Sequence, residues 1–380
     1  MSPIVILGAG LAAFSVAREL RKLDKQVAIR IVTADAGDFY SKPNLSNALA
    51  LGKTLAQLVV TPRTAIAAQL GIDIAVGVHA TALLPAEHAL ETSAGRIEYS
   101  KLVLAIGAQT IRLPIEGNGA ADILFVNHLA DYGVLRQRLE GRRRVALLGA
   151  GLIGCEFAND LAGAGYAVDV FDLAPQPLGR LLPPAAAAFF RQRLEAAGVS
   201  FHFETSIGRI DRHDDAYVLL DLNGREYQAD LVFSAVGLRP ETAMARAAGL
   251  ATNRGIVVDA SLATTDADIY AVGDCAEVQG LVLPFVMPIM QQARALAQTL
   301  AGRPTPVGYP AMPVVVKTPA CPAVVCPPPT GLEGAWQEDA TATGVRAMFV
   351  DATATAAGFA LVGEATAEKQ ALAPQMPGWL

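Results

Sequence analysis

Short apolar runs followed by glycine turns divide the N-terminal part of the chain into strand and helix units. The apolar run from Pro3 to Leu7 leads into GAGLAA at 8–13, after which a helical pattern continues to about Leu23. The run from Arg144 to Leu148 leads in the same way into GAGLIG at 149–154 and a second helical pattern. A buried strand, a glycine turn and a helix in this order are typical of the first unit of a dinucleotide-binding fold. The pattern therefore predicts two such folds in one chain.

Three further apolar segments indicate how these folds are connected. KLVLAIG at 101–107 and DLVFSAVG at 230–237 are short strands that end in glycine, and we expect the chain to cross between domains at both. IYAVGD at 269–274 ends in an acidic turn and precedes a helix that we expect to begin at Pro288. Beyond Gly302, closely spaced prolines interrupt the helical pattern, which predicts a separate C-terminal module.

The order of these segments predicts the fold class. A first nucleotide fold is interrupted by a second one, the chain then returns to the first, and a smaller unit follows. We therefore expect an α/β protein with two Rossmann-like dinucleotide-binding domains and a small α+β C-terminal domain. A length of 380 residues is sufficient for two or three domains.

Composition narrows the class of protein and its partners. The chain is 52% hydrophobic, yet the apolar run near 282–290 is interrupted by Pro284 and Pro288 and is too short to span a membrane. A formal net charge of −6 provides no general attraction to nucleic acid or to anionic lipid. Four scattered cysteines are too few for a disulfide framework. We expect a soluble, cytoplasmic enzyme with no leader segment, no membrane contact and no nucleic-acid partner.

Each glycine turn is predicted to hold the pyrophosphate of a dinucleotide. Gly8 and Gly10 allow a tight turn and a close approach of the backbone, and the following helix presents free N–H groups to the negative charge. Asp35 and Asp172 follow the second strand of each fold, where a carboxylate binds an adenosine ribose. Asp172 would repel a 2′-phosphate, so the second fold is predicted to prefer NADH over NADPH.

Four motifs together carry a resemblance to a known family. They are the first glycine turn, the second turn followed by Glu156, LAIG at 104–107, and TTDADIYAVGDCAE at 264–277. In them the chain resembles the FAD- and NAD(P)-dependent oxidoreductases of the glutathione reductase superfamily. The resemblance implies an FAD-binding domain at 1–108 and 233–308, an NAD-binding domain at 109–232 and a C-terminal domain at 309–380.

The resemblance also implies individual roles for site residues. Asp274 would bond the ribitol of FAD, and the helix N-terminus near Val286 would face the flavin C2 carbonyl. No metal site is expected, because the five histidines lack ligand spacing. The residues assigned to binding of FAD or NAD are Gly8, Ala9, Gly10, Leu11, Ala12, Thr33, Ala34, Asp35, Lys42, Pro43, Ala80, Gly107, Gly149, Gly151, Ile153, Gly154, Glu156, Asp172, Gly237, Gly273, Asp274, Val286, Met287 and Lys317.

Two shorter segments, FYSKPNLSN at 39–47 and KTPACP at 317–322, are similar to those of rubredoxin reductases within the superfamily. The resemblance implies catalytic roles for Lys42, Glu156 and Lys317. Ferredoxin reductases and relatives of apoptosis-inducing factor usually carry arginine before the proline and lysine after the Leu-Ser pair. This chain has Lys42 and Asn47 there, which favours the rubredoxin branch and leaves Glu156 without that particular lysine.

The absence of a second redox group in the sequence predicts how electrons leave. Disulfide reductases of this superfamily carry a dithiol early in the chain and a late histidine, whereas the first cysteine here is Cys155 and the last histidine is His213. Cys321 and Cys326 have a suitable spacing but lie in the proline-rich part. We therefore expect electrons to pass from NADH to FAD, and singly from the flavin to rubredoxin or a similar small iron protein.

The charge of the C-terminal part limits how an electron acceptor can dock. Residues 311–380 carry three basic and six acidic side chains, so we expect the acceptor to dock through a small, transient, largely apolar contact. We also expect a monomeric protein. The acceptor could instead be a ferredoxin, or a rubredoxin domain fused to a flavodiiron nitric oxide or oxygen reductase. Two other classes stay open: an NADH oxidase or peroxidase, although its cysteine is missing near Ser41–Asn44, and a flavoprotein whose NADH-bound state is a signal.

Overall fold

The computed structural model describes residues 2–380 and shows an α/β protein with a C-terminal β-sheet. Its α-helices are α1 (Leu11–Leu23), α2 (Leu55–Leu58), α3 (Arg63–Leu70), α4 (Leu129–Leu139), α5 (Leu152–Gly163), α6 (Pro184–Ala196), α7 (Ala243–Ala247), α8 (Val286–Leu300) and α9 (Lys369–Leu372). The strands up to the first domain crossing are β1 (Ile4–Leu7), β2 (Ile29–Val32), β3 (Phe39–Tyr40), β4 (Val59–Thr61), β5 (Asp73–Ala75), β6 (Ala80–Leu84), β7 (Ala89–Thr92), β8 (Gly95–Glu98), β9 (Lys101–Leu104) and β10 (Ala108–Thr110). The remaining strands are β11 (Arg144–Leu148), β12 (Ala167–Phe171), β13 (Val199–His202), β14 (Ile207–His213), β15 (Ala216–Asp221), β16 (Glu226–Ala229), β17 (Leu231–Ser234), β18 (Leu238–Pro240), β19 (Ile256–Val258), β20 (Ile269–Ala271), β21 (Ala276–Val278), β22 (Val314–Val316), β23 (Ala323–Cys326), β24 (Gly334–Ala340), β25 (Gly344–Asp351) and β26 (Ala356–Gly363).

The first nucleotide fold is a parallel sheet in the order β20-β9-β1-β2-β5. Strand β1 is buried along its whole length, as expected for a central parallel strand that is covered on both faces. Helices α1 and α8 pack against each other beside this sheet and share its apolar core. The carboxyl ends of β1, β9 and β20 therefore meet at one edge, where the predicted site residues follow them.

The second nucleotide fold is a parallel sheet in the order β13-β12-β11-β17, joined by an antiparallel sheet of β14, β15 and β16. The chain enters and leaves this unit through β10 and β18, which pair antiparallel. Both crossings thus lie side by side, each directly after one of the two glycine-terminated strands. The expected domain limit at residue 232 falls within β17, whose last residue is Ser234.

The C-terminal unit is an antiparallel sheet in the order β22-β23-β26-β25-β24. It shares an apolar core with the second nucleotide fold, in which Val316 and Val325 belong to the same cluster as Leu161 and Phe190. Helix α6 packs on β24, β25 and β26. This contact brings the end of β22, and with it Lys317, to helix α5.

Helix α8 begins at Val286, earlier than the expected start at Pro288. A proline is tolerated throughout the first turn, because the N–H groups of that turn have no intrahelical partner. Within residues 2–380, no helix is both long and apolar enough to cross a bilayer.

Candidate functional site

The first glycine turn has the shape of a phosphate-binding turn. Gly8 has a φ of 110°, and a Cβ atom there would collide with the carbonyl oxygen of Ala105. Gly10 is the N-cap of α1, no side chain caps the helix there, and the position of its Cβ faces open space. Ala9, Leu11 and Ala12 complete the turn. Its free N–H groups and open space fit a pyrophosphate, as predicted for FAD.

The second turn repeats this geometry at the start of α5. Gly149 has a φ of 105° with its Cβ position 2.7 Å from the Ala235 oxygen, and the Cβ position of Gly151 faces open space. Gly154 packs directly against the Gly149 carbonyl, so a side chain cannot be placed there. Ile153 lies between these glycines in the first turn of the helix. This turn fits a second pyrophosphate, as predicted for NAD.

The two predicted ribose carboxylates lie in different surroundings. Asp172 accepts hydrogen bonds from the backbone N–H of Ala150, inside the second turn, and from that of Ala174 at 2.7 Å. Its carboxylate therefore lies directly at the second glycine turn. Asp35 is exposed, and its Oδ2 lies 3.6 Å from Nδ1 of His128. Thr33 is buried beneath it and accepts a hydrogen bond from the Asp35 N–H at 3.1 Å.

Three further residues that are predicted to bind FAD take no part in the ion pairs of the site. Ala34 is exposed between Thr33 and Asp35, and Ala80 begins β6 and packs on the core of the first fold. Pro43 lies in a 3-10 helix at Lys42–Asn47, called here the 42–47 helix.

Asp274 and Lys42 form the charged part of the first site. Asp274 lies in a short 3-10 helix after β20, and burial raises the pKa of its carboxyl while the charge of Lys42 opposes this shift. Burial lowers the pKa of Lys42, and the charges of Asp274, Asp35 and Asp131 oppose that shift. Two half-buried groups of opposite charge beside an open turn are suited to a polar ligand.

Two residues that the sequence did not single out hold this charged part in place. Asn127 accepts a hydrogen bond from Lys42 Nζ at 3.2 Å and donates one to the Ala108 carbonyl at 2.8 Å, next to Gly107. Gln292 on α8 accepts a hydrogen bond from the Gly273 N–H at 2.6 Å. Both are amide side chains from distant parts of the chain, and no local motif marks them.

A buried ionic cluster joins three parts of the chain. Glu156 on α5 is 2% exposed and pairs with the ammonium group of Lys317. Its Oε2 also accepts a hydrogen bond from Ser46 Oγ, and its Oε1 accepts one from the Lys317 N–H at 2.9 Å. Lys317 Nζ is 3.0 Å from Ser46 Oγ. A lysine of the C-terminal unit thus pairs with Glu156, whereas position 47, where ferredoxin reductases usually carry lysine, is an asparagine in this chain.

The first turn of α8 and the two crossing glycines frame the same region. Val286 and Met287 are each 41% exposed, and no side chain caps the helix at Phe285. Gly107 and Gly237 both have positive φ angles and lie at the paired crossings β10 and β18. The structure therefore places Lys42 and Asp274 close to the first glycine turn. Glu156 and Lys317 form a separate ion pair at the second nucleotide fold.

The four cysteines, Cys155, Cys275, Cys321 and Cys326, are free and buried in the described part of the chain. Burial raises the pKa of the Cys321 and Cys326 thiols to about 11. A thiol with such a pKa carries almost no thiolate at neutral pH, and the thiolate is the nucleophilic form. This arrangement does not favour a redox dithiol.

Two family models together cover most of the chain, and the first of them covers both glycine turns. The pyridine nucleotide-disulphide oxidoreductase family model matches residues 2–299, and the chain belongs to this family. A second model, the rubredoxin binding C-terminal domain, matches residues 306–376. The protein is therefore an oxidoreductase that uses a pyridine nucleotide, with an additional domain of the rubredoxin-binding type.

Proteins similar to this chain match it along nearly its whole length. The chain is 46% identical over 378 residues to the rubredoxin-NAD(+) reductase of Alcanivorax borkumensis, covering 99% of each protein. It is 38% identical to the nitric oxide reductase FlRd-NAD(+) reductase of Aeromonas hydrophila subsp. hydrophila, covering 98% of this chain and 96% of the relative. The crystal structure of the ferredoxin reductase for the CYP199A2 system from Rhodopseudomonas palustris superposes with a TM-score of 0.88 at 29% identity, covering 95% of this chain and 91% of that one. These matches confirm the predicted family and fold.

Proposed function

We propose that this protein transfers electrons from NADH through FAD to the iron of rubredoxin or of a closely similar small iron protein. The observation that carries the proposal is the C-terminal unit, which matches a rubredoxin-binding domain and places Lys317 against Glu156. FAD, when bound, supplies the ability to take up an electron pair and release single electrons. The protein has to bind and orient both cofactors and provide charge beside them.

The first turn and Asp274 are the proposed FAD site. The N–H groups at the start of α1 would bind the pyrophosphate, and the Asp274 carboxylate would accept hydrogen bonds from ribitol hydroxyls. Lys42 and the uncapped start of α8 would place positive charge along the isoalloxazine. The collision at Gly8 and the open space at Gly10 support this assignment, because they are the features that a tightly bound pyrophosphate needs.

Glu156 and Lys317 are proposed to act beside the nicotinamide and the flavin. Lys317 contributes a positive charge that is fixed by Glu156 and Ser46, so it needs no reorganisation when negative charge develops next to it. The second turn and Asp172 would bind NADH at the start of α5, the helix that carries Glu156. We accordingly propose that residues 1–108 and 233–308 hold FAD, 109–232 hold NADH, and 309–380 contribute to the acceptor site.

Steady-state oxidation of NADH by the purified holoenzyme tests this function. Purified rubredoxin, ferredoxin, and the rubredoxin domain of a flavodiiron nitric oxide reductase would be supplied in parallel as acceptors. We expect the highest kcat/KM with rubredoxin. Equal turnover with dioxygen alone would favour the oxidase class, and slow reduction of FAD with a long-lived charge-transfer band would favour the signalling class.

Asp172→Asn is expected to narrow the preference for NADH over NADPH. The variant retains an acceptor for the Ala150 N–H but removes the charge that would repel a 2′-phosphate. The free-energy preference for NADH, calculated from the ratio of kcat/KM for the two cofactors, should shrink by about 1.5 to 3 kcal/mol, the size of a hydrogen bond to a charged group. An unchanged ratio would show that Asp172 does not contact the ribose.

The double variant Cys321→Ser, Cys326→Ser is expected to retain the parent turnover with rubredoxin. Both thiols are buried, and their raised pKa disfavours any relay through a thiolate. Titration with NADH under anaerobic conditions should consume one equivalent for each FAD. Loss of turnover with retained FAD, or uptake of two equivalents, would instead indicate a dithiol relay.

A further inference from the structure

Helix α5 presents three buried polar residues on a single face. Glu156, Asn159 and Asp160 have side chains that are 2%, 8% and 3% exposed. Residues spaced by three and four lie on one side of a helix, so these side chains point the same way. Phe157, Ala158 and Leu161 belong to the apolar core of the second nucleotide fold. The polar face therefore meets other parts of the molecule.

Asp160 binds the segment that follows the 42–47 helix. Its Oδ2 accepts a hydrogen bond from the Leu49 N–H, and its Oδ1 accepts one from the Ala50 N–H, both at 2.9 Å. Both carboxylate oxygens are thus occupied by consecutive backbone groups that would otherwise be left without partners at the end of the 42–47 helix. A buried carboxylate bound in this way fixes both the position and the rotation of the chain it contacts.

Asn159 binds the segment that follows Lys317. Its Oδ1 accepts a hydrogen bond from the Ala320 N–H at 3.1 Å. Glu156, one turn earlier, contacts Ser46 and Lys317. Successive turns of one rigid helix thus hold the segment with Lys42 and the segment with Lys317, while the N-terminus of the same helix carries the second glycine turn.

We propose that Asp160 and Asn159 are positioning residues that fix the 42–50 segment and the 317–320 segment to α5, so that the flavin and the nicotinamide meet in one relative geometry. The inference rests on the proposed reduction of FAD by NADH. Hydride transfer is sensitive to the separation of the reacting atoms, and a displacement of about 1 Å can slow such a step by about 10²-fold. Neither residue needs to touch a cofactor to have this effect.

Asp160→Asn in the holoenzyme tests the proposal. The amide has nearly the same size, but it can accept only from one of the two N–H groups and directs its NH2 group at the other. We expect single-turnover reduction of FAD at saturating NADH to slow by about 10- to 100-fold, with FAD still bound. Hydrogen exchange of the Leu49 and Ala50 amides should become faster in the holoenzyme.

Asp221→Asn is the matched control. Asp221 is also buried in the second nucleotide fold and accepts hydrogen bonds from the backbone N–H groups of Asn223 and Arg225 at 2.8 and 2.9 Å. The variant Asp221→Asn is expected to reduce FAD at the parent rate and to leave the hydrogen exchange of the amides of residues 49–50 unchanged. Equal slowing in both variants, or a parent rate in Asp160→Asn, overturns the proposal.

Two further measurements keep the test decisive. If Asp160→Asn does not retain FAD, the variant Asn159→Ala is used in its place. We then expect faster hydrogen exchange of the Ala320 amide and slower reduction of FAD. An exchange rate and a reduction rate equal to those of the parent would overturn the proposal. A parent holoenzyme whose FAD is not reduced by NADH contradicts the proposed function itself. In that case the exchange data still decide whether Asp160 holds residues 49–50.

Discussion

Lys317→Met is expected to slow the reduction of bound FAD by NADH about 10²- to 10³-fold, the loss typical when a preorganised charge partner is removed. The ammonium group of Lys317 is held by Glu156 and Ser46 and has no other acidic partner within ion-pair distance in residues 2–380. Stopped-flow absorbance at saturating NADH measures the rate. The midpoint potential of the flavin should fall at the same time, because the positive charge that stabilises the reduced form is gone.

The double variant Lys317→Met, Glu156→Gln separates this effect from damage to the fold. The single variant leaves a buried carboxylate unpaired, which commonly costs about 3–5 kcal/mol of stability. The double variant removes both charges. Gln at position 156 can still accept a hydrogen bond from the backbone N–H of residue 317 and contact Ser46. We expect its melting temperature to recover while reduction stays slow. If the double variant also recovered the parent rate, Lys317 would have a purely structural role.

Asp274→Ala is expected to yield protein that loses FAD during purification. The variant removes the carboxylate that is proposed to hold the ribitol, a hydrogen bond to a charged group of about 1.5–3 kcal/mol, so the dissociation constant should rise by one to two orders of magnitude. Absorbance of flavin per protein after gel filtration, and calorimetric titration of the apoprotein with FAD, measure the change. Full flavin content would refute the assignment.

The stability of the apoprotein supplies the control for this variant. Burial raises the pKa of Asp274, so this carboxyl destabilises the folded apoprotein at pH values above its pKa in the unfolded chain. Below that pH it is protonated in both states, and the cost disappears. Apo Asp274→Ala should therefore be no less stable than apo parent at pH 7. Asp73→Ala removes an exposed partner of Arg30 on the edge strand β5 and should retain FAD. Unfolding of apo Asp274→Ala at a lower temperature would indicate damage to the fold instead.

The architecture could be predicted from the sequence because local rules determine it. Each glycine turn needs a strand before it and a helix after it, and the structure has β1 with α1 and β11 with α5 at these places. Asp172 lies beside the second turn, since the register of a parallel strand fixes where its end lies, and its contact with a ribose stays a prediction. The start of α8 was less well defined, because Pro288 is compatible with any position in the first turn.

The ionic cluster could be predicted only in part. The family resemblance implies site roles for Lys317 and Glu156, but their pairing depends on how the C-terminal sheet packs on α6 and beside α5. Asn127 and Gln292 act through single hydrogen bonds across domains and leave no periodic signal. Asn159 and Asp160 do give a signal in the sequence, because together with Glu156 they form a polar face on an otherwise largely apolar helix.

The bonds of the Glu156 cluster also set an order of assembly during folding. Ser46 and Glu156 are 110 residues apart in sequence, Glu156 and Lys317 are 161 apart, and Ser46 and Lys317 are 271 apart. Contacts of such sequence separation form late, because the loops between them must close first. The second nucleotide fold, whose parallel sheet joins strands no more than about 86 residues apart, can therefore acquire its sheet on the ribosome before Lys317 has been synthesised. Refolding experiments should accordingly find native-like secondary structure before the cluster closes, and recovery of electron transfer should coincide with the slowest refolding phase.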